Sequence, residues 1–100
     1  MEEAVAKGYI IGHLSVKDMA TFGAGYAMKV PEVISEFGGE FLVKGGNVPY
    51  REGDNADIDV IVEFPDLASA EAFLASDAYK AIESVRKEQT TGPFMIVEGV

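Results

Sequence analysis

The chain has 100 residues, the length of one domain. Its 17 acidic and 8 basic side chains give a net charge of −9, and such a surface repels phosphate backbones and anionic membranes, so we expect neither a nucleic acid nor a membrane partner. The absence of cysteine excludes disulfides, thiolate metal sites and a cysteine nucleophile, and fits a cytoplasmic protein. The apolar runs are much shorter than the ~20 residues that span a bilayer.

The first half of the chain predicts a leader and two strands. Residues 1–6 are expected to form a flexible leader before a single domain that covers residues 7–100. Residues 7–16 (KGYIIGHLSV) predict a strand, because β-branched and aromatic residues are frequent and apolar residues lie on both faces. Residues 40–44 (EFLVK) predict a second strand, and residues 48–51 are expected to resume pairing after a glycine-rich turn.

A helix with an interruption is predicted between these two strands. Asp18 stands at the N-cap position, where a short carboxylate accepts hydrogen bonds from the first free amides of a helix. Apolar residues then recur at steps of three and four: Phe22, Tyr26, Val30, Val33 and Phe37. Pro31 cannot donate a helical hydrogen bond, so we expect a kink or a break just before it. Gly38 and Gly39 end the helix.

The second half predicts a strand, a helix pair and a final strand. Residues 57–64 (DIDVIVEF) alternate between apolar and polar side chains, which is typical of a strand with two different faces. Asp66 predicts an N-cap for a helix over residues 67–75, and Ser76 predicts a second cap that restarts the helix. Residues 94–98 (FMIVE) predict the last strand.

The element order βαββαβ predicts a ferredoxin-like α+β domain. In this arrangement one four-stranded antiparallel sheet carries both helices on one face. The opposite face retains Ile11, Leu42 and Ile61 among charged groups. Because an exposed apolar sheet face is normally covered, we expect a homodimer in which a second copy, related by a two-fold axis, packs on this face.

Several short motifs follow one another in a specific order along the chain. They are Lys7-Gly8-Tyr9, Tyr26, Pro31, Gly38-Gly39, Phe41-Leu42, Gly45-Gly46, Glu52-Gly53, Glu63-Phe64-Pro65, Tyr79, Arg86 and Val97-Glu98-Gly99. This pattern resembles the family called domain of unknown function 1330, within the dimeric α+β barrel superfamily. The resemblance implies a homodimer whose two sheets pack face to face as a barrel, and it implies no agreed activity. The superfamily includes cofactor-free monooxygenases, lactone isomerases and haem enzymes, so the fold does not select a reaction.

His13, the only histidine, is the first candidate for chemistry. By strand alternation His13 and Glu63 both point away from the helices, and their strands are expected to be central neighbours. We therefore expect the two side chains to lie side by side in the cavity between the sheets. Glu63 would orient the imidazole of His13, and this pair would serve general acid–base catalysis. The structural alternative is an ion pair or a dimer contact without chemistry.

Four further residues are candidate ligand contacts in the same cavity. They are Tyr9, Lys44, Arg51 and Asp59, of which Lys44 or Arg51 would contact an anionic group. The family often has arginine where this chain has Lys44, and lysine grips a carboxylate without the bidentate geometry of arginine. These candidate residues leave two alternative functions. The protein is either an enzyme or binder for a small, partly apolar molecule, or a non-enzymatic dimeric module.

A metal site is an alternative interpretation of the acidic row on the third predicted strand. Asp57, Asp59 and Glu63 share one strand face, and with His13 they would supply oxygen and nitrogen ligands. Acid rows on strands are more often solvated or paired with basic side chains, so we predict no metal site. The sequence requires no cofactor.

Overall fold

A computed structural model describes residues 5–100, so residues 1–4 of the predicted leader lie outside the described residues. The strands are β1 (Gly8–Val16), β2 (Glu40–Lys44), β3 (Ile58–Phe64), β4 (Thr90–Thr91) and β5 (Phe94–Glu98). They form a sheet that is antiparallel throughout, in the order β2-β3-β1-β5, and the two-residue β4 pairs with β1 beyond the end of β5. The predicted ferredoxin-like architecture is confirmed, with β1 and β3 as the central strands.

The helical segments begin where the sequence predicts them. They are α1 (Met19–Phe22), a π-helical segment (Gly23–Ala27), α2 (Val30–Glu36), α3 (Leu67–Ala75) and α4 (Asp77–Gln89). The Asp18 carboxylate accepts hydrogen bonds from two amides at the start of α1. Asp66 accepts one from the amide of Ser69 in α3, and the Ser76 hydroxyl accepts one from the amide of Tyr79 in α4. All three predicted N-caps are confirmed.

The first predicted helix is interrupted, as Pro31 led us to expect. The amide of Met28 donates to the carbonyl of Gly23, five residues earlier, which is the hydrogen bond of a π-helix. Pro31 then lies in the first turn of α2, where its missing amide leaves no helical bond unmade. A β-carbon on Gly25 would lie 2.9 Å from a methyl carbon of Val85, so glycine allows the π-helical segment to approach α4 closely.

The core lies between the helices and one face of the sheet. Its buried side chains are Ile10, Leu14, Val62 and Phe64 from the strands, and Phe22, Tyr26, Val30, Val33, Ile34, Ala70, Phe73, Tyr79 and Ile82 from the helical segments. The Tyr26 hydroxyl lies 3.0 Å from that of Tyr79, which in turn accepts a hydrogen bond from Arg86 Nε at 2.9 Å. Burial raises the pKa of the Tyr26 phenol, so this hydroxyl stays protonated.

The other face of the sheet carries no helix within residues 5–100. Its centre is an apolar stripe, which we define as Ile11, Val43, Ile61, Met95 and Val97. Met95 is 43% exposed and Val97 38% exposed. Leu42, which we expected on this face, lies at a β-bulge between Phe41 and Val43 and is 51% exposed. We call this side of the sheet the helix-free face.

One sequence expectation fails in the loops, and one short strand was not predicted. Residues 48–51 do not resume pairing, because the chain from residue 45 to residue 57 contains no strand. The last helix ends at Gln89, and the next two residues form β4, which was not predicted. No helix within residues 5–100 has the length and apolar character to cross a membrane, and the cytoplasmic location stays a prediction.

Candidate functional site

The register of β1 on β3 divides the polar residues of the helix-free face into two clusters. Tyr9 lies opposite Glu63 and His13 lies opposite Asp59, with a pair of isoleucines between them. The prediction that His13 and Glu63 lie side by side is therefore wrong. The two residues are four positions apart in register, which is about 14 Å along the strands. Alternation predicted the correct face for both, but the register selected a different carboxylate for His13.

The first cluster joins His13, Asp59 and Arg51. His13 Nδ1 lies 2.7 Å from one carboxylate oxygen of Asp59, and an Arg51 guanidinium nitrogen donates to the other at 2.5 Å. The guanidinium of Arg51, followed by the imidazole of His13, holds the pKa of Asp59 below its usual value. Asp59 is thus a carboxylate at neutral pH and accepts hydrogen bonds only, so Nδ1 carries the proton that it shares with Asp59.

This arrangement leaves the other imidazole nitrogen of His13 open. The side chain is 46% exposed, whereas those of Asp59 and Arg51 are 18% and 21% exposed. Because Nδ1 is protonated, Nε2 of the neutral ring carries a lone pair and can take a proton from a bound molecule. Asp59 therefore has the orienting position that we assigned to Glu63.

Arg51 reaches Asp59 from the long loop between β2 and β3. Both ends of this loop are fixed by backbone hydrogen bonds, from Gly45 N to Asp59 O at 2.8 Å and from Asp57 N to Leu14 O at 2.9 Å. Gly45 and Gly46 have φ angles of 71° and 95°, which favour glycine. The loop and β3 border an open polar pocket of about 370 Å³ beside Asp59. Arg51 borders this pocket and is hydrogen-bonded to Asp59, and its contact with a ligand stays a prediction.

The second cluster joins Glu63, Lys7 and Tyr9. The Lys7 ammonium donates to one carboxylate oxygen of Glu63 and the Tyr9 hydroxyl donates to the other, both at 3.1 Å. The hydrogen bond from Lys7 lowers the pKa of Glu63, and Glu63 in turn raises the pKa values of Lys7 and Tyr9. These contacts match the structural alternative for Glu63, an ion pair at the edge of the apolar stripe.

Lys44 lies on the opposite face of the sheet from His13. The bulge at Leu42 adds one residue to β2, so Lys44 pairs with Val60, whose side chain points toward the helices. Its ammonium lies 4.8 Å from the centre of the Phe41 ring. The expected contact of Lys44 with a molecule near His13 is thus wrong in its placement.

An apolar cavity that sequence reasoning missed lies beside Lys44. Its volume is about 170 Å³, and it lies between the sheet and the first helical segments. The side chains that border it include Leu14, Phe22, Tyr26, Val30, Val60 and Lys44. The only signal in the sequence was the break predicted before Pro31, and the structure shows that this break contains a π-helical turn, which widens the helix and occurs frequently at functional sites.

The acidic row of β3 forms no metal-binding cluster among the residues that the structure describes. Within residues 5–100, no three His, Asp or Glu side chains are placed to hold a metal ion. The Asp57 carboxylate accepts a hydrogen bond from the Val16 amide at 2.8 Å, and Asp59 binds Arg51.

Comparisons with known proteins agree with this geometry at the level of the fold. A protein of unknown function from Rhodopseudomonas palustris matches with a TM-score of 0.76 at 13% identity, over 95% of this chain and 83% of that chain. SnoaB, a cofactor-independent oxygenase from Streptomyces nogalater, matches with a TM-score of 0.60 at 13% identity, over 93% and 92% of the two chains. A conserved protein from Methanosarcina mazei Go1 matches with a TM-score of 0.52 at 17% identity, over 95% and 92%.

At these identities the structural likenesses show the fold alone. No curated protein matches the chain. One family model matches residues 7–100, nearly the whole sequence. The chain therefore belongs to the family described as domain of unknown function (DUF1330).

Proposed function

We propose that this protein binds a small, partly apolar molecule on the helix-free face, where a second copy closes the site and His13 transfers a proton. The observation that carries the proposal is the hydrogen bond from His13 Nδ1 to Asp59, with the His13 side chain 46% exposed next to the apolar stripe. An oriented imidazole beside an apolar surface combines an acid–base group with a place for an apolar substrate.

The apolar stripe supports pairing of two copies. Its five side chains form a continuous row across the four strands β2, β3, β1 and β5. A solvent-facing apolar row of this kind normally marks an interface. The carboxylates of Asp59 and Glu63 are already paired with basic groups of their own chain. A second identical face can therefore approach by a two-fold rotation without bringing these two charges together unpaired.

The chemistry proposed for His13 follows from its partners. Nε2 accepts a proton from an acidic C–H or O–H group of the bound molecule, and the resulting imidazolium is stabilised by the adjacent Asp59 carboxylate. Arg51 keeps Asp59 ionised and fixed while this happens. SnoaB is a cofactor-independent oxygenase, so the fold accommodates chemistry of that kind, and we expect this protein to act without a cofactor as well.

Pairing is tested by placing a charge in the middle of the apolar stripe. We expect Ile61→Lys to weaken self-association at least about 100-fold, because two buried lysines would face each other across the two-fold axis. Analytical ultracentrifugation of the wild type and the variant measures the change. Met28→Lys is the matched control, since Met28 is 81% exposed and lies in the helical layer. A stable Ile61→Lys dimer, with an unchanged circular dichroism spectrum, would rule out this interface.

The role of His13 is tested by a ligand screen with a conservative variant. Asn at position 13 keeps an N–H group for Asp59 at the place of Nδ1 but removes Nε2. Metabolites that raise the melting temperature of the wild type by several degrees should raise that of His13→Asn by less than half as much. Glu88→Gln, on the exposed side of α4, is the control. If the same compounds stabilise His13→Asn fully, His13 does not bind the ligand.

A second candidate function is a dimeric module without chemistry. It is favoured by the second cluster, because Glu63 is fully engaged with Lys7 and Tyr9. Under this alternative, Ile61→Lys abolishes pairing, and no metabolite in the ligand screen stabilises the wild type. A compound whose effect depends on His13 would exclude it.

A further inference from the structure

We infer that the apolar cavity on the helix side of the sheet is a second, separate binding site, which takes a small aromatic or aliphatic carboxylate. The apolar body of the ligand fills the cavity, and its carboxylate meets the Lys44 ammonium at the opening. This site shares no residue with the His13 cluster, because the sheet lies between the two.

The size and lining of the cavity define the body of the ligand. The cavity is open to solvent on one side, and its volume of about 170 Å³ is close to the ~150 Å³ of apolar cavities that bind benzene. Aliphatic and aromatic side chains from every layer of the domain border it, including Ile10, Leu14, Phe22, Val30, Val62 and Phe94. An apolar body of about the size of one ring with a short chain therefore fits.

The interrupted helix accounts for the space. Tyr26 and Ala27 of the π-helical segment and Val30 at the start of α2 form the wall of the cavity that faces the sheet. This segment is drawn toward α4, since Gly25 lies against Val85 and the Tyr26 hydroxyl is bonded to Tyr79. These contacts with α4 hold the wall in place. A regular helix of the same residues would fill the space, whereas the interrupted helix leaves the cavity open.

Lys44 supplies the charge that selects a carboxylate. It borders the cavity and is solvent-exposed, unlike the buried residues behind it, which places the opening on its side. Within residues 5–100, no carboxylate lies within 4.0 Å of its ammonium, although the chain has 17 acidic residues. The ammonium instead rests on the ring of Phe41. An anionic group of a ligand would be an ionic partner that no side chain of residues 5–100 supplies.

The backbone next to Lys44 leaves the opening accessible. Gly45 also borders the cavity, with a φ angle of 71°, and a β-carbon there would meet nothing within 4 Å. The bulge at Leu42 is what brings Lys44 to this side, because a regular β2 would place it opposite Asp59. The bulge in β2 therefore places the Lys44 ammonium at the opening of the cavity.

The site is tested with 3-phenylpropanoate and its neutral analogue, 3-phenylpropanol. We expect the acid to bind with a dissociation constant on the order of 0.1 mM and the alcohol to bind about fivefold to tenfold more weakly, measured by calorimetry. Methyl NMR signals of Ile10, Leu14 and Val62 should shift on binding, while those of Ile11 and Ile61 on the other face stay in place.

Variants separate the charge from the cavity. Lys44→Gln should remove the preference for the acid and leave the affinity for the alcohol unchanged, whereas Lys29→Gln, an exposed lysine outside the cavity lining, keeps the preference. Val60→Phe should abolish binding of both compounds by filling the cavity, and Ala27→Leu should do the same from the opposite wall. His13→Asn should bind both as the wild type does, which distinguishes this site from the proposed function.

Three results would overturn the inference. The first is the absence of saturable binding of either compound to the wild type. The second is equal affinity for the acid and the alcohol, which would remove Lys44 from the site. The third is a set of shifted methyl signals confined to Ile11 and Ile61, which would place the ligand on the helix-free face.

Discussion

The carboxylate of Asp59, on the helix-free face of β3, receives hydrogen bonds from one side chain of a loop and one of β1. The Arg51 guanidinium and the His13 imidazole each take one of its carboxylate oxygens. A carboxylate in this position fixes which imidazole nitrogen is protonated and leaves the other for a ligand. Arg51 also connects β3 to the long loop between β2 and β3. The conformation of that loop therefore affects the candidate site.

The pKa of Asp59 predicts a pH-dependent contribution to stability. Its pKa is held below the ordinary value of 3.8, so its ion pairs stabilise the folded state above that pH and are lost as the pH falls through the lower folded value. We expect Asp59→Asn to lower the free energy of unfolding by about 1 kcal/mol at pH 7. The difference from the wild type should narrow toward pH 3.

Urea denaturation of the two proteins at several pH values between 7 and 3 measures this difference. Asp54→Asn is the control, because Asp54 is exposed in the same loop and makes no ion pair within residues 5–100. A deficit of Asp59→Asn that is as large near pH 3 as at pH 7 would mean that packing or geometry, not ionisation, is lost.

The ends of the helices could be predicted because their signals are local. An N-cap acts on amides two or three residues away, so Asp18, Asp66 and Ser76 were identified without knowledge of the fold. Pro31 acts through its own missing amide, and the break before it was predicted in the same way. The π-helical form of the break was not predicted, because it depends on the approach of Val85 to Gly25 from another element.

The faces of the strands could be predicted, but the pairing of their residues could not. Alternation alone decides that His13 and Glu63 share a face. Their partners depend on the register in which β1 pairs with β3, and every register shift of two residues leaves each side chain on the same face. The observed register places His13 opposite Asp59 and Tyr9 opposite Glu63. This is the reason that His13 was paired with Glu63 instead of Asp59.

The bulge in β2 shows a stronger limit of sequence reasoning. One inserted residue changes the face of every side chain that follows it in the strand. The segment EFLVK has no glycine or proline to mark the insertion. Lys44 was therefore assigned to the helix-free face, whereas it borders the cavity on the other side.

The sheet divides the molecule into two regions that offer different chemistry. One side has an apolar cavity with the Lys44 ammonium at its opening, formed within one chain. The other side has an apolar stripe between two ionic clusters and is covered only if a second chain packs on it. A 100-residue domain has little interior to spare, so a site on the open face depends on pairing for its enclosure.

The net charge predicts how pairing responds to salt. Each copy carries −9, and this repulsion acts over about 30 Å at 10 mM salt but only about 6 Å at 300 mM. If the apolar stripe holds the pair, the dissociation constant should fall at least about tenfold over this range, which sedimentation equilibrium measures. Replacing Glu71 and Glu88, both exposed on the helices, with lysine reduces the charge and should flatten the response. A dissociation constant that rises with salt would instead mean that ion pairs between the copies, and not the apolar stripe, hold them together.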